Sequence, residues 1–104
     1  MNKNVIPVII YLNVDINRSN IYKQNKNKSG IYRWTNLING KSYIGSAKNL
    51  SERIKSYLSL CFLKREIKRG NSKINNALLK YGYENFSLDI LYYCDTNELL
   101  NWEQ

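Results

Sequence analysis

The stretch from Gly30 to Gly45, GIYRWTNLINGKSYIG, limits what this chain can fold into more than any other part of it. Ile31, Tyr32, Trp34, Thr35, Tyr43 and Ile44 are β-branched or aromatic, the types that suit a pleated, half-buried surface. Between the two runs stands Asn39-Gly40, whose residues adopt positive φ at low cost and make a tight turn. The stretch therefore reads as a β-hairpin. Side chains alternate faces along a strand. If Asn39-Gly40 alone is the loop, Tyr43 lies opposite Asn36; if the loop is Leu37 to Gly40, it lies opposite Trp34. Either register puts Tyr43 on the face that carries Tyr32, and the longer loop, which brings the two tyrosines closer, is expected. Gly45 falls on that face too, where a missing side chain would let a ligand backbone come near.

After the hairpin the signals are helical. Asn49-Leu50-Ser51-Glu52 has the form of a helix start, with Asn49 as cap. Leu50, Ile54 and Leu58 follow as an apolar stripe. Arg53 and Tyr57, one turn apart, share the flank of that stripe. Leu63 to Arg69 reads as one or two basic helical turns ended by Gly70. Ser72 is expected to cap a further helix, Lys73 to Tyr81, with Ile74, Ala77, Leu78 and Tyr81 on its apolar face and Gly82 closing it. Phe86 to Tyr93 alternates as a third strand, with Phe86, Leu88, Ile90 and Tyr92 on one face and Ser87, Asp89, Leu91 and Tyr93 on the other. Asp95-Thr96-Asn97-Glu98 opens a last helix, on which Glu103 falls between Leu99 and Leu100 on the inward side. A lone carboxylate there is costly unless it is paired, protonated or bound to a cation. The fold class expected is α/β (α+β), a small three-stranded antiparallel sheet flanked by helices in the order ββααβα.

Before the hairpin, Val5 to Leu12 is apolar but for Pro7. It is too short to cross a bilayer, which takes about 20 residues, and it lacks the basic leader and cleavage site of a signal peptide. An edge strand and a disordered arm are both compatible with it. Asn13 to Ser29 is polar and carries Arg18, Lys23, Lys26 and Lys28, so residues 1–28 are expected to form a flexible basic leader.

The chain has 104 residues, 16 of them Lys or Arg against 8 Asp or Glu, and a net charge of +8. An excess of that size points to a polyanionic partner. There is no histidine, and the two cysteines, Cys61 and Cys94, form no CxxC pair, which excludes a structural zinc site. Both cysteines read as small buried residues.

The triplets Gly30-Ile31-Tyr32 and Tyr43-Ile44-Gly45 place their tyrosines eleven positions apart. In this the chain resembles the GIY-YIG nuclease family, whose two name motifs are intact here at a spacing usual for the family. The resemblance covers Ser29 to Gln104. It implies a metal-dependent DNA endonuclease that hydrolyses phosphodiester bonds, the catalytic domain of an intron-encoded homing enzyme. With no histidine, the base must be a tyrosine, a lysine or a carboxylate. The family pattern implies that Tyr43 or Tyr32 takes a proton from the attacking water while the other orients it, with Tyr43 the preferred base. It implies that Arg53 stabilises the phosphate, and that Glu103 is the protein ligand of one Mg²⁺ (or Mn²⁺) at the leaving 3′ oxygen. Tyr57 occupies a position that is histidine in many homing nucleases and tyrosine in related repair nucleases; it would complete the hydrogen-bond network.

Family members usually continue past the glutamate, so a domain over residues 29–104 truncated at its C-terminal end is expected. Contacts to the DNA backbone are expected from the leader and from Lys41, Lys48, Lys55, Lys64, Arg65, Lys68, Arg69 and Lys73. The chain looks most like the intron-borne nucleases of fungal mitochondria, and the resemblance implies a mitochondrial setting and a monomer with no membrane association. The competing expectation is a degenerate, non-catalytic module that binds DNA or intron RNA without turnover.

Overall fold

The computed structural model describes residues 7–70 and 73–94. In chain order its elements are β1 (Ile9–Leu12), α1 (Arg18–Gln24), β2 (Gly30–Asn36), β3 (Ser42–Ala47), α2 (Leu50–Tyr57), α3 (Leu60–Lys68), α4 (Lys73–Tyr81), a 3₁₀ turn (Tyr83–Asn85) and β4 (Phe86–Tyr93). The strands form one antiparallel sheet in the order β1-β4-β2-β3.

The hairpin takes the longer-loop register, with Trp34 opposite Tyr43 and Tyr32 opposite Gly45. Its turn is closed by the Asn36 carbonyl, which accepts from Gly40 N–H at 2.8 Å, and by the Asn36 side chain, which accepts from Ile38 N–H at 2.9 Å. Only Gly40 of the Asn-Gly pair has positive φ, +77°. Placing Trp34 against Tyr43 makes residues 32, 34, 43 and 45 neighbours on one face. That face is the core side. Trp34, Phe86, Leu88 and Ile90 are fully buried there beneath Leu50, Ile54 and Leu63 of the helices.

The helices start where their caps dictate. The Asn49 side chain accepts from Glu52 N–H at 3.2 Å and opens α2. The Ser59 hydroxyl accepts from Phe62 N–H at 3.3 Å and opens α3, which begins three residues earlier than the basic run suggested. Cys61, expected in the core, is exposed on this extra turn, and Cys94 is half-buried. The proposed cap of α4, Ser72, lies outside the described residues, as do Asp95 to Gln104 and hence Glu103.

Two expectations are corrected. The sheet has four strands, not three, because β1 pairs with β4, Ile9 opposite Ile90 and Tyr11 opposite Leu88. With it, the supposed flexible leader is folded from Pro7 onward. Val14 and Ile21 are fully buried, and a buried aliphatic side chain of that size contributes about 1.5–3 kcal/mol. Tyr11 Oη donates to Gln24 at 2.6 Å, Asn25 Nδ2 donates to Tyr11 Oη at 3.1 Å, and Tyr93 Oη donates to Asn25 at 2.8 Å. These bonds tie the C-terminal end of α1 to β1 and to the end of β4. The apolar anchors are too sparse in a polar sequence to show a period.

The second correction concerns β4. Ile31 pairs with Tyr92 but Tyr32 pairs with Ile90, so Leu91 is an extra residue, a β-bulge. The bulge reverses the alternation beyond it. Tyr93 turns to the main core, and Tyr92 joins Ile31, Leu91 and Cys94 on the other face. That outer face also holds a cross-strand pair, Arg33 Nε to Asp89 Oδ2 at 2.9 Å, with Thr35 Oγ1 donating to the same oxygen at 3.1 Å. The extra bond satisfies a carboxylate that is only 3% exposed.

Candidate active site

Tyr32 is the deepest element of the site. Its ring lies across Gly45 on the neighbouring strand, and a Cβ at residue 45 would come within 2.5 Å of the Tyr32 hydroxyl. The glycine therefore leaves room for Tyr32 and not, as the sequence suggested, for a ligand backbone. Tyr32 Oη shares a 3.0 Å hydrogen bond with Tyr57 Oη, and the two rings meet edge to face at 6.0 Å. Tyr57 also packs edge to face against Trp34 at 5.6 Å and Phe62 at 6.2 Å. Its carbonyl accepts from the Tyr83 hydroxyl at 2.6 Å, which fixes the end of α2.

This enclosure sets the electrostatics. Burial pushes the Tyr32 phenol far above its ordinary value, and the neighbouring Tyr57 adds to the shift. Arg53 opposes it, pulling the phenol downward. The Arg53 charge thus acts on Tyr32 even though the Arg53 side chain is exposed.

Above the pair lies an open cleft of about 610 Å³, walled by β3, α2, α3 and α4. Tyr43, Arg53, Tyr57, Glu66, Lys73 and Asn75 supply its polar lining. Two cations face one carboxylate, so the cleft suits a negatively charged ligand. Phenol hydroxyls, a guanidinium and a carboxylate around one concave site have the donors and acceptors that phosphoryl chemistry requires.

The GIY-YIG catalytic domain family matches residues 28–104. The chain belongs to that family. A relative from Neurospora crassa, named "Probable intron-encoded endonuclease 1", is 33% identical over 91 residues, which cover 84% of this chain and 28% of that protein. The chain thus spans under a third of that relative's length. No solved structure matches.

Within this GIY-YIG domain, the structure brings together four of the five residues expected to carry the chemistry: Tyr43, Arg53 and Tyr57 line the cleft, and Tyr32 lies beneath, bonded to Tyr57. Glu103 lies outside the described residues. Of the basic residues expected on DNA, Lys73 lines the same cleft. Lys64, Arg65, Lys68 and Arg69 are exposed on α3, where Arg65 stacks over Phe62 at 5.6 Å and Arg69 lies 3.5 Å from Glu66. Lys41 and Lys48 are exposed at either end of β3.

Lys55 points elsewhere. It lines a second cleft of about 390 Å³ between α1 and α2, with Tyr22, Lys23, Lys26, Asn49 and Glu52. Its ammonium stands over the Tyr22 ring at 5.1 Å and 3.7 Å from Glu52.

Two residues of the first cleft were not anticipated from the sequence, Glu66 and Asn75. Glu66 is the one acid inside the basic run Leu63 to Arg69, and it stands one turn after Phe62. That spacing places it on the face that packs toward Tyr57, a signal available once Phe62 is known to be inward.

Proposed function

We propose that this domain is the catalytic part of a DNA endonuclease that hydrolyses phosphodiester bonds in the first cleft. The observation that supports this best is the shared placement of Tyr43, Arg53 and Tyr57 around one open cleft with Tyr32 bonded beneath them. Arg53 binds the scissile phosphate and offsets the charge that grows on its oxygens. Tyr43, half-buried at the wall, holds the attacking water. Tyr57 takes the place of the family's histidine; its hydroxyl is held by Tyr32 and orients that water rather than receiving its proton.

The family resemblance also implies one Mg²⁺ (or Mn²⁺). Among the described residues no three His, Cys, Asp or Glu side chains gather. Mg²⁺ keeps several waters and binds through one or two carboxylates and substrate phosphate oxygens, so a single glutamate beside a bound phosphate suits it. Glu103 would hold it, and the cation would supply charge at the leaving 3′ oxygen. The exposed cations of α3 and α4, and the lysines between α1 and α2, hold the flanking DNA backbone without reading its sequence. The likeness to an intron-encoded protein supports a homing role in a fungal organelle, with the domain acting as a monomer. No helix among the described residues is long and apolar enough to cross a membrane.

The test is incubation of the chain with supercoiled plasmid and Mg²⁺. Nicked or linear product, abolished by EDTA, is expected. Glu103→Ala should lose cleavage and keep DNA affinity, because the metal acts mainly in the transition state. Tight DNA or RNA binding with no cleavage under any divalent metal would favour the non-catalytic module instead.

A further inference from the structure

We propose that the second cleft, between α1 and α2, binds single-stranded DNA, with Tyr22 as the platform on which an unpaired base stacks. This role lies outside the nuclease reading and adds a base to the backbone contact given to that cleft above. Three observations carry it. First, α1 turns one face to α2. Ser19, Tyr22 and Lys23 stand at i, i+3 and i+4, and Lys26 follows at i+7 just past the helix end, the spacing of one helix side. Ile21, next to Tyr22, is fully buried and fixes that rotation. These residues precede the matched family domain, which begins at residue 28. Second, the cleft is positive. Across from α1 stand Lys55 and Glu52 of α2, with their charged groups 3.7 Å apart. The ammonium groups of Lys23, Lys26 and Lys55 thus face a carboxylate that is already shared, a balance that suits phosphates. Third, Tyr22 has a use there only if a base is free. Its ring packs against the main core and still lines the cleft, and the Lys55 ammonium stands over it at 5.1 Å.

A duplex keeps its bases stacked on one another, so a ring beside its backbone meets only sugar and phosphate. An unpaired base has a free π-face, and an aromatic ring set among cations is how sequence-tolerant single-strand sites are built. The base takes the place of the Lys55 ammonium over Tyr22, and Lys55 swings on its flexible stem to a phosphate. The exchange favours the base, because an exposed ammonium holds a ring more weakly than a stacked base does. The cleft volume, about 390 Å³, is of the size that takes one nucleotide.

The experiment is fluorescence-anisotropy binding by the full chain in EDTA at low salt. The labelled ligands are oligothymidine of about twelve nucleotides, within the range of single-strand sites, an abasic strand with the same phosphates, and a duplex of equal length. Tyr22→Leu should weaken oligothymidine about tenfold, the order of one lost base stack, and leave the abasic strand and the duplex unchanged. Tyr22→Phe, which keeps the ring, should bind like wild type. Circular dichroism checks the fold of each variant. If Tyr22→Leu fails to fold, Tyr22→Trp carries the test: its emission, measured against wild type, should be quenched by oligothymidine and not by the abasic strand. A folded Tyr22→Leu that binds oligothymidine like wild type overturns the proposal. An equal loss on every ligand does the same, as does a Tyr22→Phe that loses as much as Tyr22→Leu. A Tyr22→Trp emission that oligothymidine leaves unchanged, or wild type that binds the duplex and not oligothymidine, also overturns it. Affinity is read here and cleavage is not. Loss of the nuclease reading therefore leaves these outcomes intact, and their failure leaves the nuclease reading intact.

Discussion

Helix α2 separates two clefts of different chemistry. On one side, Arg53 and Tyr57 face an aromatic wall and a lone glutamate. On the other, the same helix offers Ser51, Glu52 and Lys55 to Lys23 of α1 and Lys26 just beyond it. The first cleft rests on a tyrosine pair whose hydroxyls are bonded to each other, so Tyr32 and Tyr57 are each held in one position. The second is lined by exposed lysines on long stems, which meet a phosphate backbone in many geometries. Reaction needs the former, because a misplaced group loses most of its effect. Grip needs only the latter, since charge neutralisation is tolerant of geometry. On the proposed reading, one short helix serves chemistry and affinity at once through its angular spacing.

The comparison predicts that mutations on the two sides of α2 will separate rate from affinity. The largest effect is expected at Arg53. Arg53→Ala should slow cleavage by about a hundredfold or more, comparable to losing one oxyanion donor, while a gel-shift assay finds DNA affinity only slightly reduced. Equal losses in both would erase the distinction between the clefts.

Gly45→Ala comes next. Its methyl would lie 2.5 Å from a Tyr32 hydroxyl already held by Tyr57. Overpacking of this kind costs about 1–3 kcal/mol, visible as a lower melting temperature, and it should displace Tyr32 and lower cleavage as well. A variant with wild-type melting would mean that Tyr32 is free to move.

On the other side of α2, replacing Lys23, Lys26 and Lys55 together by alanine should leave the saturated cleavage rate unchanged. Salt titration of DNA binding should show the effect instead. If the wild type neutralises about five phosphates, its log–log slope is roughly −4 to −5, and the triple variant should lose roughly 2 to 3 of that. An unchanged slope would place the DNA elsewhere.

The smallest effect sharpens the picture of the buried tyrosine. Burial raises the Tyr32 phenol, and raises Tyr11, Tyr83 and Tyr93 in the same direction. In the unfolded chain these groups ionise near the reference value of about 10, while in the fold they hold their protons. The associated stability is therefore complete below about pH 10 and declines as pH rises above it. Melting temperature measured across alkaline pH should fall, and Tyr32→Phe should flatten part of that fall.

Much of this was legible in the sequence. Alternation and turn chemistry are local, so the hairpin register, the shared face of Tyr32 and Tyr43 and the cap at Asn49 could be read from neighbouring residues. The helical spacing of Arg53 and Tyr57 also placed them on one flank. Tertiary structure decided what depends on distant partners. Whether Val14 and Ile21 anchor a helix or trail in solvent depends on β4, which comes more than sixty residues later. The bulge at Leu91 that exchanges Tyr92 and Tyr93 depends on pairing with Ile31. The space above Gly45 belongs to Tyr32 because the two strands meet in one register. Glu66 looked like one acid in a basic run until α3 packed its Phe62 against Tyr57, since a side chain's chemistry follows from the surface it faces, and that surface is assembled only when the chain folds.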